Sequence, residues 1–265
     1  MVGPLFRVPV GRVARPSARL VPLLVWAVLL VLVSVALATG TLGSARSRLH
    51  APGSLARMSA QAAPGGDGAR QAFLAEVHHE LATMTDTAYQ HTTDVEAGEG
   101  GYYFDCSGFV DYALAHSLPA DLKALPITTS VRPLAADFEH QFSAAGDGTA
   151  AGPWRAVPTV AELRPGDVIA WLKPADVKSH NTGHVLVALE NPVQNPARSD
   201  EWLVKVADST TSPHAQDSRG ADADGLGTGT IGLSADGAGH PVGYYWRGGV
   251  STVLKHTRIS LGQPG

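Results

Sequence analysis

The chain has 265 residues and a formal net charge of −4, but the charge is unevenly spread. The first acidic residue is Asp67, and seven arginines with no lysine give residues 1–66 about +7, which leaves −11 on the 199 residues from 67 to 265. An acidic domain of that size can bury one sizeable core, and its charge repels polyphosphate, so nucleic acid is excluded as a partner.

Residues 1–19 form a basic N-terminal segment with four arginines. Residues 20–45, "LVPLLVWAVLLVLVSVALATGTLGSA", hold no charge, and their apolar part runs nearly unbroken from Leu20 to Leu37. This segment is either a long signal peptide, cut after "ALA" or "GSA", or a transmembrane signal anchor. Its length favours the anchor and the small residues at its end favour cleavage. Both readings place the acidic domain outside the cytoplasm, secreted or held to the membrane by this one segment. Residues 46–68 are rich in Ala, Gly, Ser and Pro and read as a flexible linker. The folded domain is expected over 69–265.

Within that domain Phe73, Val77, Leu81 and Met84 recur at helical spacing and predict an amphipathic helix over 69–86. A loop rich in Gly, Asp and Glu follows, up to Tyr103. A second helix is expected from Cys106 to just before Pro119, with Cys106, Phe109, Val110, Ala113 and Leu114 on one face. A third is expected from Pro133 to Ala144 around Leu134, Phe138 and Phe142. After Trp154 the texture changes. The runs "GDVIAWL" (166–172), "GHVLVALE" (183–190) and "EWLVKVAD" (201–208) read as strands, followed by "GTIGLSA", "VGYYWRG" and "LKHTRISL", with Gly and Asp between them as turn signals. Helices first and an antiparallel sheet second make an α+β fold.

Cys106 is the only cysteine, so no disulfide can form within the chain. It is either an inert core thiol or a nucleophile. The local sequence favours the second. Asp105 is a good N-cap, which puts Cys106 in the first helical turn, where the backbone N–H groups and helix dipole stabilise a thiolate, with the Asp105 charge opposing. Ser107 and Gly108 leave room for a substrate. The candidate base is His184. Pairing "GHVLVALE" with "EWLVKVAD" so that Leu189 faces Leu203 sets His184 opposite Asp208, a carboxylate able to orient the imidazole. A slip of one residue would put Ala207 or Ser209 there instead.

These residues bring a family into view. "FDCSGFVDYAL", "LRPGDVIAW" and "TGHVLVALE", in that order, resemble the three signature blocks of the NlpC-type cysteine peptidases of the papain-like superfamily. The resemblance spans residues 86–210 and implies a papain-like domain with N-terminal helices packed on an antiparallel β-sheet. It carries over a catalytic Cys106, a His184 base and a third polar residue at Asp208. It also implies an exported bacterial hydrolase acting on peptide or amide bonds of peptidoglycan stem peptides through an acyl-enzyme, with no cofactor. Related branches are acyltransferases, and a non-catalytic cell-envelope binding or scaffold protein could keep the same fold. The chain departs from the family in three respects. Seventy-seven residues separate Cys106 from His184, more than is usual. The third residue is more often His, Asn or Gln than Asp. The stretch from Asp208 to Leu233 has no recognised counterpart.

A tyrosine before the cysteine commonly borders the site in that family, and Tyr89 is the nearest match, either there or simply closing the first helix. It joins Asp105 and Ser107 as a residue for substrate or oxyanion contact. Arg219 is a candidate for holding a substrate carboxylate, and His91 stands in the loop before the cysteine. His180 and His184, four apart, lack a helical context and the glutamate of a zinc motif, so no metal is expected. His78 and His79 read as a solvated helix face.

Overall fold

The computed structural model describes residues 66–146 and 152–265. The basic segment 1–19, the apolar segment 20–45 and linker residues 46–65 lie outside them. Among the described residues no helix is long and apolar enough to cross a membrane.

The helices follow from the apolar spacing. α1 (Gly66–Thr83) begins three residues before the expected start and buries Phe73 and Val77, with Leu81 and the following Met84 partly buried against the same cluster. His78 and His79 are exposed. One residue on the buried stripe breaks the pattern: Glu80 is fully enclosed, and neither carboxylate oxygen has a protein partner. The expected loop instead holds three short strands, β1 (Asp86–Ala88), β2 (Asp94–Glu96) and β3 (Gly101–Tyr103), in a small sheet with β3 central. α2 (Cys106–Ser117) matches its expected bounds, and all five residues of its apolar face are buried. It is followed by α3 (Pro119–Lys123) and α4 (Ala135–Gly146). At the start of α4 Asp137 accepts a 2.9 Å hydrogen bond from the Leu134 N–H, half of a capping box.

The strands after Trp154 are β4 (Arg155–Ala156), β5 (Val168–Leu172), β6 (Gly183–Ala188), β7 (Val193–Gln194), β8 (Glu201–Thr210), β9 (Gly225–Ala235), β10 (Pro241–Tyr245), β11 (Lys255–His256) and β12 (Ile259–Gln263). The final run "LKHTRISL" is therefore two strands, not one. All of them join one antiparallel sheet in the order β11-β10-β9-β8-β6-β5-β12-β4, with β7 beside β8. The architecture is α+β, as expected.

Alternation along the strands splits the core in two. Val168, Ala170, Val185, Val187 and Ala207 pack with Phe109, Val110, Ala113, Phe138 and Phe142 under the helices. On the other face Ile169, Trp171, Leu186, Val204, Val206, Tyr244, Ile259 and Leu261 form a second cluster. Its members come from both β10 and β12, which touch although four strands lie between them, so the sheet curls to enclose that cluster. The helix cluster holds Cys106, and the other face holds His184 and Asp208.

Candidate active site

The thiol sits where a helix start meets a strand. Asp105 is extended (φ −85°, ψ −177°) and caps α2 by accepting from the Gly108 N–H at 2.8 Å and the Ser107 hydroxyl at 3.1 Å. Arg132 clamps the same corner. Its guanidinium donates to Asp105 Oδ1 and to Ser107 Oγ, each at 2.7 Å, and to Asp111 Oδ2 at 3.1 Å. The His91 ring nitrogen lies 3.0 Å from Asp105 Oδ2. Burial pushes the Asp105 carboxyl up, but His91, the Gly108 amide and Arg132 together hold it below its ordinary value. Asp105 and Ser107 thus belong to the site as its rigid frame.

Cys106 is the first residue of α2 and only 5% exposed. The backbone amides of Val185 and Ser107 face its sulfur and favour the thiolate, yet burial, helped by the Asp105 and Asp208 charges, pushes the thiol up to about 12. The expectation of a dipole-stabilised thiolate is therefore not met. Desolvation outweighs the helix N-terminus, and the resting group is a neutral thiol.

The Val185 amide belongs to the peptide that leaves His184, so the sulfur abuts the strand at the residue next to the expected base. β6 begins at Gly183, where no side chain fits, because a Cβ would overlap the Trp171 carbonyl oxygen on β5. That close approach sets His184 directly across from Trp171. The imidazole lies between two indoles, with centroids 5.3 Å from Trp171 and 5.3 Å from Trp246. Its Nε2 is 2.6 Å from Asp208 Oδ2, while Nδ1 makes no hydrogen bond among the described residues.

The partnership with Asp208 is as expected, but the register behind it is different. Val187 pairs with Ala207 and Ala188 with Val206, a slip of two residues from the expected hairpin, because Leu203 pairs with Val193 of β7 and not with Leu189. A two-residue slip keeps every side chain on its face. Asp208 therefore reaches His184 diagonally.

Asp208 is also the centre of a larger network that sequence reasoning missed. Its Oδ2 accepts from His214 Nε2 at 2.9 Å and its Oδ1 from Arg219 Nη2 at 2.9 Å. Burial alone would raise this fully enclosed carboxyl, but His214 and His184 hold it well below the ordinary carboxylate range. The role expected of Arg219 needs correction. All five of its N–H groups are taken within the chain, by Asp217, by the Asp208 carboxylate and carbonyl, and by the Gly225 carbonyl. It binds the site's own carboxylate and has no donor left for a substrate. Ser209 was missed as well. From the helix-facing side of β8 its hydroxyl donates to the Phe104 carbonyl at 2.6 Å, which ties the Asp208 strand to the residue just before Asp105 and Cys106.

Two clefts of about 320 Å³ each flank this arrangement and share Tyr89, Asn181 and Gly183. The first is lined by Asp105, Cys106, Arg132 and His180, the second by Trp171, Lys173, His184 and Trp246. Tyr89 stands at their junction, as expected of a site tyrosine. Its oxygen accepts from Asn181 Nδ2 at 3.3 Å, which leaves its own proton free to donate, and burial, with the Asp105 charge, keeps that hydroxyl protonated.

His184, Asp208 and His214 offer three donor atoms within 4.8 Å of one another, a spacing that could hold a cation. Their geometry favours direct hydrogen bonds. Nε2 of each histidine lies 2.6 or 2.9 Å from Asp208 Oδ2, whereas a tetrahedral zinc with bonds of about 2.0–2.1 Å spaces its ligands roughly 3.3 Å apart. The Arg219 guanidinium already occupies the other oxygen of the same carboxylate. Comparison with protein-family models, with curated proteins and with solved structures finds no match to this chain.

Proposed function

We propose that this protein is an extracytoplasmic cysteine hydrolase with a papain-like, NlpC-type domain, cleaving peptide or amide bonds in peptidoglycan stem peptides. The observation that carries the reading is the 2.6 Å bond from His184 Nε2 to Asp208, which leaves Nδ1 open on a residue whose neighbouring amide faces the Cys106 sulfur. An imidazole oriented by a carboxylate at one nitrogen and open at the other is the arrangement a base needs beside a nucleophile.

The chemistry follows from the charge states. Cys106 rests as a thiol, so attack on the amide carbonyl is coupled to proton transfer from Sγ to His184. The C=O π electrons move to oxygen as the S–C bond forms, and the oxyanion is met by backbone N–H groups at the start of α2 and by the Tyr89 hydroxyl. His184 then protonates the departing amine, the C–N bond breaks and a thioester remains. Water, deprotonated by the same imidazole, adds to the thioester, the C–S bond breaks to release the acid, and the imidazolium returns its proton to Sγ. The leaving amine must lie beside His184, which assigns it to the cleft walled by Trp171 and Trp246 and the acyl portion to the cleft of Asp105 and Arg132. The uncharged segment at residues 20–45 supplies the export signal or the membrane anchor.

The test is to incubate the full chain and its Cys106→Ala variant with peptidoglycan and soluble stem peptides and to identify the products by mass spectrometry. New fragments from the wild type alone support the hydrolase and name its bond. Acyl products that appear only with an added amine identify an acyltransferase. Identical silence with every substrate favours a scaffold protein and contradicts the proposal.

A further inference from the structure

His214 lies just after β8, with its side chain fully enclosed. Both of its ring nitrogens face atoms that can only accept. Nε2 is 2.9 Å from Asp208 Oδ2, and Nδ1 is 2.9 Å from the Trp246 carbonyl oxygen. A carbonyl has no proton to give, and an ionised carboxylate has none either. A neutral imidazole has one N–H and could satisfy only one of these partners, leaving two lone pairs opposed in a buried site. We infer that His214 is a permanent imidazolium, a positioning residue that clamps Asp208 and keeps His184 in its neutral, base-competent form.

The surroundings fit that charge. The His214 ring lies on the Trp246 indole, with centroids 4.3 Å apart, and an aromatic face attracts a cation. Its backbone N–H donates to Asp217 Oδ2 at 2.7 Å, so the segment carrying it is itself held. Burial and Arg219 disfavour the charged ring, but Asp208 and the Trp246 carbonyl outweigh them and raise its proton affinity.

The charge balance gives the consequence. Asp208 and Asp217 contribute two negative charges, and Arg219 and His214 two positive ones. With His184 neutral the buried cluster is neutral. Protonating His184 would add one uncompensated positive charge beside two existing cations. Sharing the second cleft with His184 are the Tyr89 hydroxyl and the Lys173 ammonium, and Cys106 lies next to Val185 in the first; none of these supplies a negative charge near neutrality. In an isolated His–Asp pair the carboxylate would raise the imidazole's proton affinity. Here that carboxylate is shared with His214 and Arg219, so its pull on a proton at His184 is weaker than in an isolated pair.

The inference rests on reading Cys106, His184 and Asp208 as one centre, but its primary test needs no turnover. In ring nitrogen–proton spectra of the full chain, one histidine absent from the His214→Gln spectrum should carry protons on both nitrogens at neutral pH, where a free histidine has lost one. In His214→Gln, which keeps a donor to Asp208 and loses the charge, the acid limb of Cys106 alkylation by iodoacetamide should move up by about one pH unit. A purely structural role would lower the melting temperature and leave that limb in place. A His214 ring protonated at one nitrogen near neutrality overturns the inference, as does stoichiometric zinc in the purified protein. Failure to cleave any stem peptide would sink the proposed function and leave this charge assignment standing.

Discussion

Asp208 reaches His184 at 2.6 Å although the two residues are not cross-strand partners, and the same oxygen binds His214. One carboxylate thus orients the candidate base and binds two buried cations, His214 and Arg219. Replacing it should damage catalysis and folding together. Asp208→Asn should lower kcat/KM about a thousandfold, because Nδ1 loses its alignment toward the thiol. It should also destabilise the fold by roughly 3–5 kcal/mol, because His214 is left without a counter-charge while Arg219 keeps only Asp217. Chemical denaturation and kinetics on one preparation check both. A stable but inactive variant would mean that Asp208 is not the charge centre of the network.

Ser209 supports a separable prediction. Among the described residues its hydroxyl makes no hydrogen bond to the Asp208 cluster, and its bond to the Phe104 carbonyl fixes the α2 start against β8. Ser209→Ala should cost about 1 kcal/mol, because the Phe104 carbonyl keeps only the longer 3.4 Å bond from the Gln90 N–H. It should lower kcat more than it changes the pH profile, since the sulfur shifts while the imidazole environment does not. An altered acid limb in this variant would contradict that division of roles.

Glu80 gives the fold an unusual pH dependence. Burial first, and the Glu76 charge second, push its carboxyl up from 4.5 to about 9. A group with a raised folded value stabilises the protein fully below its unfolded value, and that contribution is lost as pH rises toward the folded one. Asp111, Asp121 and Asp167, raised to about 7, 6 and 6, act in the same direction. The lowered Asp105, Asp208 and Asp217 act oppositely, and their contribution is lost as pH falls through and below the ordinary aspartate range. Stability should therefore peak between about pH 4 and 5 and decline toward neutrality, with Glu80 alone accounting for roughly 3 kcal/mol at pH 7. Melting curves of the wild type and Glu80→Gln across that range should converge at acidic pH and separate above it. Parallel curves would show that Glu80 is ionised in the fold.

What could be read from the sequence divides along physical lines. The start and end of α2 were legible because an N-cap, apolar positions at helical spacing and a following proline act within one turn of each other. The strands after Trp154 were legible because alternation and turn residues are local too. The small sheet of β1, β2 and β3 was not, since strands of three residues have no measurable period and depend on a chain reversal at Gly100 (φ +78°). The register of β6 and β8 was misread because Val193 and Gln194 form a strand of their own and take the place assigned to Leu189. Asp208 survived that error only because the slip was even. His214 and Arg219 could not be assigned from sequence at all. Their meaning depends on a backbone carbonyl 32 residues away and on a carboxylate facing inward, and neither leaves a pattern in the chain.

The most direct test of the pairing between Cys106 and His184 is the rate of Cys106 alkylation as a function of pH, in the wild type and in His184→Ala. The thiol is buried and rests protonated, so its reactivity near neutrality depends on a base that can take the proton. The wild type should show an acid-side step in rate, above a slow background. In His184→Ala that step should vanish, leaving a rate that only climbs toward alkaline pH as the thiol itself ionises. Superimposable profiles for the two proteins would mean that His184 does not act on Cys106, and the account of this site as a nucleophile with its base would be wrong.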